Sequence, residues 1–283
     1  SLSILSDASS ECVSPRAMNL IVENIGLIPV TDTQQGLTSL KAANSFLSLM
    51  SGESKVFIAE LKLRADSDCL AARHALLELP GVKTEEKRYL DCCVLQTGSE
   101  VRLALLGERK NKERFVVLVE VMVAGRGLSL GRELAVYDKA SMLGKGLTHI
   151  TATEADVFTC GSLIRKLRME EGGGVLKPTT GRVAVPPECV DGTLSLRVVS
   201  QPAKNSFTIV SSFKTKSAGK NKYQINWFQG RGDEISAPSG KSSLKLPICC
   251  KHKTVYVSIC DSLLTEYVDR SCYWAIKDQH FVK

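Results

Sequence analysis

Three consecutive glycines at residues 172–174 separate two parts of the chain whose apolar residues follow different periods. A glycine run cannot continue a helix, because glycine loses more backbone entropy on ordering than any other residue. Several segments before the run repeat their apolar residues at helical spacing, whereas the apolar residues after it alternate. We therefore predict two domains, an α+β domain at 1–171 and a basic, all-β domain at 175–283.

The N-terminal domain is predicted to combine about four helices with a mixed or antiparallel sheet. The helices are predicted where apolar residues recur three or four apart between a capping residue and a stop signal, at about 15–25, 35–51, 67–79 and 154–168. Strands are predicted where apolar residues alternate or form a short run, at 55–64, 89–96, 101–107, 115–123 and 128–137. Residues 115–123 are apolar on both faces, which is typical of a central strand.

The C-terminal domain is predicted to be mainly antiparallel β. Its apolar residues alternate in five short segments, at 194–198, 207–213, 223–227, 244–248 and 255–259. The segments between them are rich in Gly, Pro, Ser and Lys. Short strands at such spacing favour a β-sandwich or a barrel.

The positive charge of the chain is confined to its second part. Residues 1–170 contain 21 basic and 21 acidic residues, and residues 171–283 contain 16 basic and 9 acidic ones, so the net charge of +7 arises after residue 170. Such segregation predicts a surface patch that meets an anionic partner. The candidate anion-binding residues are Lys204, Lys214, Lys216, Lys220, Lys222, Arg231, Lys241, Lys245, Lys251 and Lys253.

Residues 214–222 are predicted to form a hairpin turn whose four lysines meet phosphates. Tyr223, Trp227 and Phe228 follow, and on an exposed strand they could stack on bases or lie at a lipid headgroup boundary. The alternation of Trp227 with Ile225 favours the core instead. Lysine suits diffuse phosphate contact more than base recognition. The anion is interpreted as RNA, DNA or an acidic membrane; the alternative is that these lysines protect sheet edges.

No catalytic or metal-binding constellation is predicted. The adjacent thiols of Cys249 and Cys250 point to opposite faces of a strand, so only one could join His252 in a zinc site. The best available nucleophile and base are Cys160 and His149, but Cys160 lies on a predicted buried stripe. We expect Glu120 to form an ion pair with Arg102 or Arg114, the tripeptide at 231–233 to be an ordinary turn, and no cofactor to be required.

These observations favour a non-enzymatic binding and assembly protein that forms homo-oligomers. Ten cysteines in a chain without an Asn-x-Ser/Thr acceptor suit a reducing cytoplasmic or nuclear compartment, with peripheral membrane association possible. In architecture and charge, but in no motif, such a protein is analogous to viral matrix, nucleocapsid or movement proteins. The alternatives are an enzyme with dispersed catalytic residues, such as a Cys–His hydrolase or a nuclease, and a protein–protein adaptor.

Overall fold

The computed structural model describes three main β-sheets and three short strand pairs. The described residues are 2–3, 25–26, 37–43, 45–61, 71–82, 86–125, 127–138, 146–170, 174–187, 189, 193–201, 205–217, 220–244, 256–260, 263–267, 275–277 and 280–282. The three short pairs are β1 (Leu2–Ser3) with β2 (Ile25–Gly26), β19 (Tyr256–Cys260) with β20 (Leu263–Tyr267), and β21 (Ala275–Lys277) with β22 (His280–Val282).

The first main sheet has four antiparallel strands in sequence order, namely β3 (Leu37–Ala43), β4 (Phe46–Ser51), β5 (Lys55–Leu61) and β6 (Ala71–Glu78). The third main sheet is a meander of the same kind, formed by β15 (Thr193–Gln201), β16 (Ser206–Ser217), β17 (Lys220–Arg231) and β18 (Glu234–Leu244). Each of these sheets packs one face on the second.

The second main sheet has eight strands and is nearly closed into a barrel-like form. Its strands are β7 (Arg88–Thr97), β8 (Glu100–Glu108), β9 (Arg114–Ala124), β10 (Gly127–Tyr137), β11 (His149–Ala152), β12 (Asp156–Cys160), β13 (Leu163–Met169) and β14 (Gly174–Ala184). The strand order is β11-β12-β13-β14-β10-β9-β8-β7, and every pair is antiparallel except β10 with β14. The central position predicted for residues 115–123 is confirmed, because β9 lies between β10 and β8.

The predicted α+β class is wrong, because 75% of the described part is strand and that part contains no helix. The predicted helix at 35–51 is the hairpin of β3 and β4, the one at 154–168 is the hairpin of β12 and β13, and the one at 67–79 contains β6. The segment predicted as a helix at 15–25 lies outside the described residues, apart from Ile25 in β2.

Burial on both faces of a strand explains the false helical spacing. Val157 and Leu167 point into the interior of the eight-stranded sheet, whereas Cys160 and Ile164 point outward against the third sheet. Two strands joined by the turn at 161–162 therefore reproduce the three- and four-residue spacing of an amphipathic helix.

The strand that follows the glycine run belongs to the eight-stranded sheet. β14 begins at Gly174 and pairs with both β13 and β10. The division into two domains at this point stays a prediction. Among the C-terminal segments, 194–198, 207–213 and 223–227 lie in β15, β16 and β17, while residues 245–248 lie outside the described part.

Three apolar clusters hold the sheets together. One fills the interior of the eight-stranded sheet with side chains from all eight strands. A second lies between the first sheet and the outer face of β7–β9, and a third lies between β12–β14 and the third sheet. The strands β7, β8 and β9 are therefore buried on both faces, which accounts for their nearly continuous apolar sequences.

A buried ion pair joins the two edges of the eight-stranded sheet. Asp91 of the edge strand β7 accepts hydrogen bonds from the Ile150 N–H of the edge strand β11 (2.7 Å) and from the Cys92 N–H (2.8 Å). Lys41 Nζ of β3 lies 2.5 Å from Asp91 Oδ2 and also donates to the Ile150 carbonyl oxygen. Lys41 and Asp91 are 4% and 1% exposed, so side chains take the place of backbone pairing at this seam.

Replacing Lys41 by methionine is expected to lower the free energy of unfolding by about 3–5 kcal/mol, because the Asp91 carboxylate is left buried without its cation. Urea denaturation followed by tryptophan fluorescence measures this loss. The control is Lys110→Met, which removes an exposed lysine paired with Glu86 and should cost less than about 1 kcal/mol. Equal effects of the two substitutions would contradict the role of Lys41.

A second buried carboxylate, Glu108, lies between two arginines. Arg88 Nη2 is 2.5 Å from Glu108 Oε1, and Arg114 Nε is 3.2 Å from Oε2. Burial raises the pKa of the Glu108 carboxyl, but the hydrogen bonds and charges of Arg88 and Arg114 outweigh it, so the net pKa lies below the ordinary value of 4.5. The pair thus stabilises the fold above the unfolded-state pKa, and this contribution disappears as the pH falls through the lower folded-state pKa.

Glu108→Gln is expected to destabilise the protein by about 1.5–3 kcal/mol at pH 7, because charged hydrogen bonds are lost. The difference from the parent should shrink steadily as the pH is lowered below about 4.5, where the parent carboxylate also becomes protonated. Urea unfolding at a series of pH values tests this, and a difference that stays constant down to pH 2.5 would rule out the ionised pair as its source.

Candidate anion-binding surface

The predicted basic hairpin is a two-stranded ribbon at one end of the third sheet. β16 and β17 pair continuously from Ser206 opposite Arg231 to Ser217 opposite Lys220. β15 pairs with β16 only as far as Phe213, and β18 pairs with β17 only as far as Tyr223. In the described part of the chain, residues 214–217 therefore pair only with β17, and residues 220–222 pair only with β16. We call these residues the lysine ribbon.

The register divides the four ribbon lysines between two faces. Lys216 is opposite Asn221, and Lys222 is opposite Thr215. Directly opposed residues share a face and alternate residues share a face, so positions 214 and 216 lie on one face and positions 220 and 222 lie on the other. The four lysine positions therefore do not share one face of the ribbon. The four positions nevertheless fall within about 10 Å of strand length, at roughly 3.4 Å per residue.

The structure brings together four of the ten predicted cations. Arg231 is exposed at the far end of β17 from the ribbon, where it pairs in register with Glu234. Lys241 lies on β18 opposite Asn226, on the same face as positions 220 and 222. Outside the described residues lie Lys204, Lys245, Lys251 and Lys253.

Two of the three predicted stacking residues are buried. Trp227 and Phe228 are 6% and 0% exposed, and Phe228 belongs to the apolar cluster between the second and third sheets. Stacking on bases would require these rings to leave the core. Tyr223 is opposite Lys214 at the base of the lysine ribbon, so it is the aromatic residue that the backbone places next to the basic positions.

No carboxylate occurs in the strands that carry the ribbon. Residues 192–232 contain no Asp or Glu, although they contain seven Lys and Arg. The nearest acidic residues in sequence, Asp233 and Glu234, lie in or after the β17–β18 turn at the opposite end of the hairpin. The charge of the ribbon is therefore not neutralised from within β16 or β17.

The tripeptide at 231–233 forms a turn, as predicted, with Gly232 at a φ of 57°. Asp233 is held by the adjacent sheet, since its Oδ1 lies 3.2 Å from Lys166 Nζ and 2.9 Å from Arg168 Nη2. The same two cations bind Asp156. Lys166 and Arg168 of β13 therefore have a carboxylate partner in the third sheet.

Cys160 is not activated as a nucleophile. Strand pairing does place His149 opposite Cys160, but the Cys160 side chain is 0% exposed, with its Sγ 3.9 Å from Ser211 Oγ. Burial raises the pKa of the Cys160 thiol to about 12. His149 Nδ1 lies 2.8 Å from Thr148 Oγ1. This arrangement does not generate the thiolate that a Cys–His hydrolase requires.

Two further predictions concerned an ion pair of Glu120 and a zinc site at residues 249–252. Glu120 is opposite Arg102 in register, but Arg102 forms its ion pair with Glu100, and Arg114 forms its own with Glu108. Cys249, Cys250 and His252 lie outside the described residues. Among the residues that the structure does describe, no group of His, Cys, Asp or Glu could hold a metal ion.

No protein-family model matches the chain, and no curated protein matches it. Among the residues that the structure describes, no helix is long and apolar enough to cross a membrane.

We expect Cys160 to resist alkylation in the folded protein. With a pKa of about 12, its thiolate fraction at pH 8 is about 10⁻⁴, against roughly a quarter for an ordinary thiol with a pKa near 8.5. Iodoacetamide labelling with peptide mass mapping should therefore modify Cys160 at least about 10³-fold more slowly in native protein than in urea-unfolded protein. Labelling at equal rates would restore the hydrolase hypothesis.

Proposed function

We propose that the protein is a non-enzymatic nucleic-acid-binding protein whose lysine ribbon contacts backbone phosphates. The observation that carries this proposal is the ribbon itself: four lysines on two paired strands that extend past the pairing of β15 and β18 and contain no acidic residue. A protruding basic ribbon is a poor element for packing, since its lysines would have to lose their hydration to be buried.

The dimensions of a two-stranded ribbon suit a duplex groove. The DNA major groove is about 12 Å wide and admits a two-stranded β-ribbon, whose strands are about 4.8 Å apart. Lysines on both faces of an inserted ribbon can reach the phosphates of both bordering strands. The division of the lysines between two faces is therefore compatible with binding in a groove.

The chemistry of lysine predicts binding without strong sequence preference. Lysine presents a point charge and lacks the planar fork with which arginine recognises guanine. Phosphate contacts position a protein on nucleic acid but carry no direct sequence information. Affinity should therefore depend steeply on salt concentration through counterion release.

The formation of homo-oligomers and the location of the protein in a reducing compartment stay predictions.

The test replaces Lys214, Lys216, Lys220 and Lys222 together by glutamine and measures binding to fluorescent 20-base-pair DNA and RNA duplexes by anisotropy. We expect the parent to bind, and the slope of log K against log salt to become shallower by about 3–4 in the variant, since each phosphate contact contributes about 0.9 on DNA. Circular dichroism confirms that the variant is folded.

The matched control removes the same charge elsewhere, by replacing four exposed cations with glutamine, namely Lys110, Lys112, Arg132 and Lys177. Equal losses in control and ribbon variant would show that only net charge matters and would overturn the proposal. Parent protein that binds acidic phosphatidylserine vesicles in flotation, but neither duplex at 50 mM salt, would also overturn it and assign the ribbon to a membrane surface.

A further inference from the structure

At one end of the eight-stranded sheet, three buried hydrogen-bond donors have no partner among the residues that the structure describes. They are Arg114 Nη1, Tyr137 Oη and Arg165 Nε. The Tyr137 side chain is only 6% exposed. Buried polar groups in native proteins nearly always have a partner, so several orphaned donors in one place need an explanation.

Sheet topology places the three donors at the same end. β9 begins at Arg114 and is antiparallel to β10, which ends at Tyr137, and Tyr137 is opposite Val116. β14 runs in the same direction as β10, and β13 runs in the opposite direction. The start of β13, which contains Arg165, therefore lies at the end of the sheet towards which β10 runs.

The three side chains also share the inner face of the sheet. Tyr137 is part of the interior apolar cluster, together with Val116 and Leu167. Arg114 is two residues from Val116, and Arg165 is two residues from Leu167, so alternation places both on the inner face. Arg165 is near enough to Tyr137 for its charge to act on the hydroxyl, since it lowers the pKa of Tyr137 against the larger opposing effect of burial.

This end of the sheet carries an excess of positive charge. Arg165 is directly opposite Arg182 in the register, and like charges in this position are destabilising. Within the described part of the chain, neither forms an ion pair with a carboxylate. Glu108 is already shared by Arg88 and Arg114, and Asp138, which follows Tyr137, is exposed.

We propose that this end of the eight-stranded sheet binds a phosphate group, either free or as a monoester, through Arg114, Tyr137 and Arg165. A phosphate oxygen accepts hydrogen bonds from guanidinium and hydroxyl donors, and its charge offsets the repulsion between Arg165 and Arg182. Burial raises the pKa of the Tyr137 hydroxyl, and Asp138 raises it further against the opposing effect of Arg165. The hydroxyl is therefore a protonated donor at neutral pH.

The phosphate could be free, or it could be the terminal group of a nucleic acid. The backbone carbonyl oxygen of Asn205, just before β16, accepts a hydrogen bond from the Gly232 N–H. Lys166 donates to the Gly232 carbonyl oxygen and pairs with Asp156, the first residue of β12, so the start of β16 lies near the start of β12. Ser211 contacts Cys160 at the end of β12. β16 therefore runs alongside β12 and continues into the lysine ribbon towards the end of the sheet that carries Tyr137.

Calorimetric titration with inorganic phosphate, at constant ionic strength in chloride, tests the site. We expect the parent to bind, and the Kd to rise at least tenfold in Tyr137→Phe and in Arg165→Gln. The control Arg132→Gln removes an exposed arginine from β10 and should bind as the parent does. A parent that binds neither inorganic phosphate nor a 5′-phosphorylated trinucleotide, or variants that bind as tightly as the parent, would overturn the proposal.

Three further measurements distinguish the phosphate site from a structural role and from the lysine ribbon. In chloride alone, Tyr137→Phe should unfold at the same temperature as the parent or higher, because an unpartnered buried hydroxyl is removed; a clear fall would show a structural partner and contradict the site. Comparing 5′-phosphate with 5′-hydroxyl trinucleotides separates a terminal phosphate from a free one. Phosphate binding that survives in the quadruple lysine variant would show that this site does not depend on the ribbon.

Discussion

The buried pair of Lys41 and Asp91 is the interaction on which the rest of the structure depends. The eight-stranded sheet has two edge strands that meet without backbone pairing among the described residues, and an unpaired edge in the protein interior is costly. Asp91 and Lys41 supply an acceptor for the Ile150 N–H and a donor for its carbonyl oxygen. Removing two charges from water is unfavourable, and these additional hydrogen bonds offset the cost by closing the seam.

Closure of the sheet determines where each functional element lies. The closed interior collects side chains from all eight strands, and the outer surface carries the first sheet on one side and the third sheet on another. The network of Lys166 with Asp156 and Asp233 fixes the third sheet at the start of β12. The hairpin of β16 and β17 is thereby directed along the sheet, with its lysines towards the end that carries Tyr137.

The sequence was informative where a strand is a nearly uninterrupted apolar run between two turns. The strands at 89–96, 101–107 and 115–123 were predicted correctly because continuous apolar runs bounded by turns permit little else. The helix at 154–168 was wrong because two-faced burial of β12 and β13 imitates helical spacing. Lys41 lies between the apolar residues Leu40 and Ala42, and a lysine in such a position indicates a buried ion pair.

The candidate sites show the same limit. The lysine hairpin was visible because its residues are close in sequence, but its division between two faces depends on register, which no local pattern specifies. Arg114, Tyr137 and Arg165 are far apart in sequence, and only the strand order β13-β14-β10-β9 brings them to the same end of the sheet. Their types carry no motif, so topology alone reveals them.

Amide hydrogen exchange at Ile150 tests most directly whether side chains seal the sheet. If Asp91 and Lys41 close the seam, the Ile150 N–H should exchange only through global unfolding, with the same opening free energy as Leu105 in the centre of β8. Exchange of Ile150 by a local opening, while Leu105 stays protected, would show that β11 is an unsealed edge and would contradict the account.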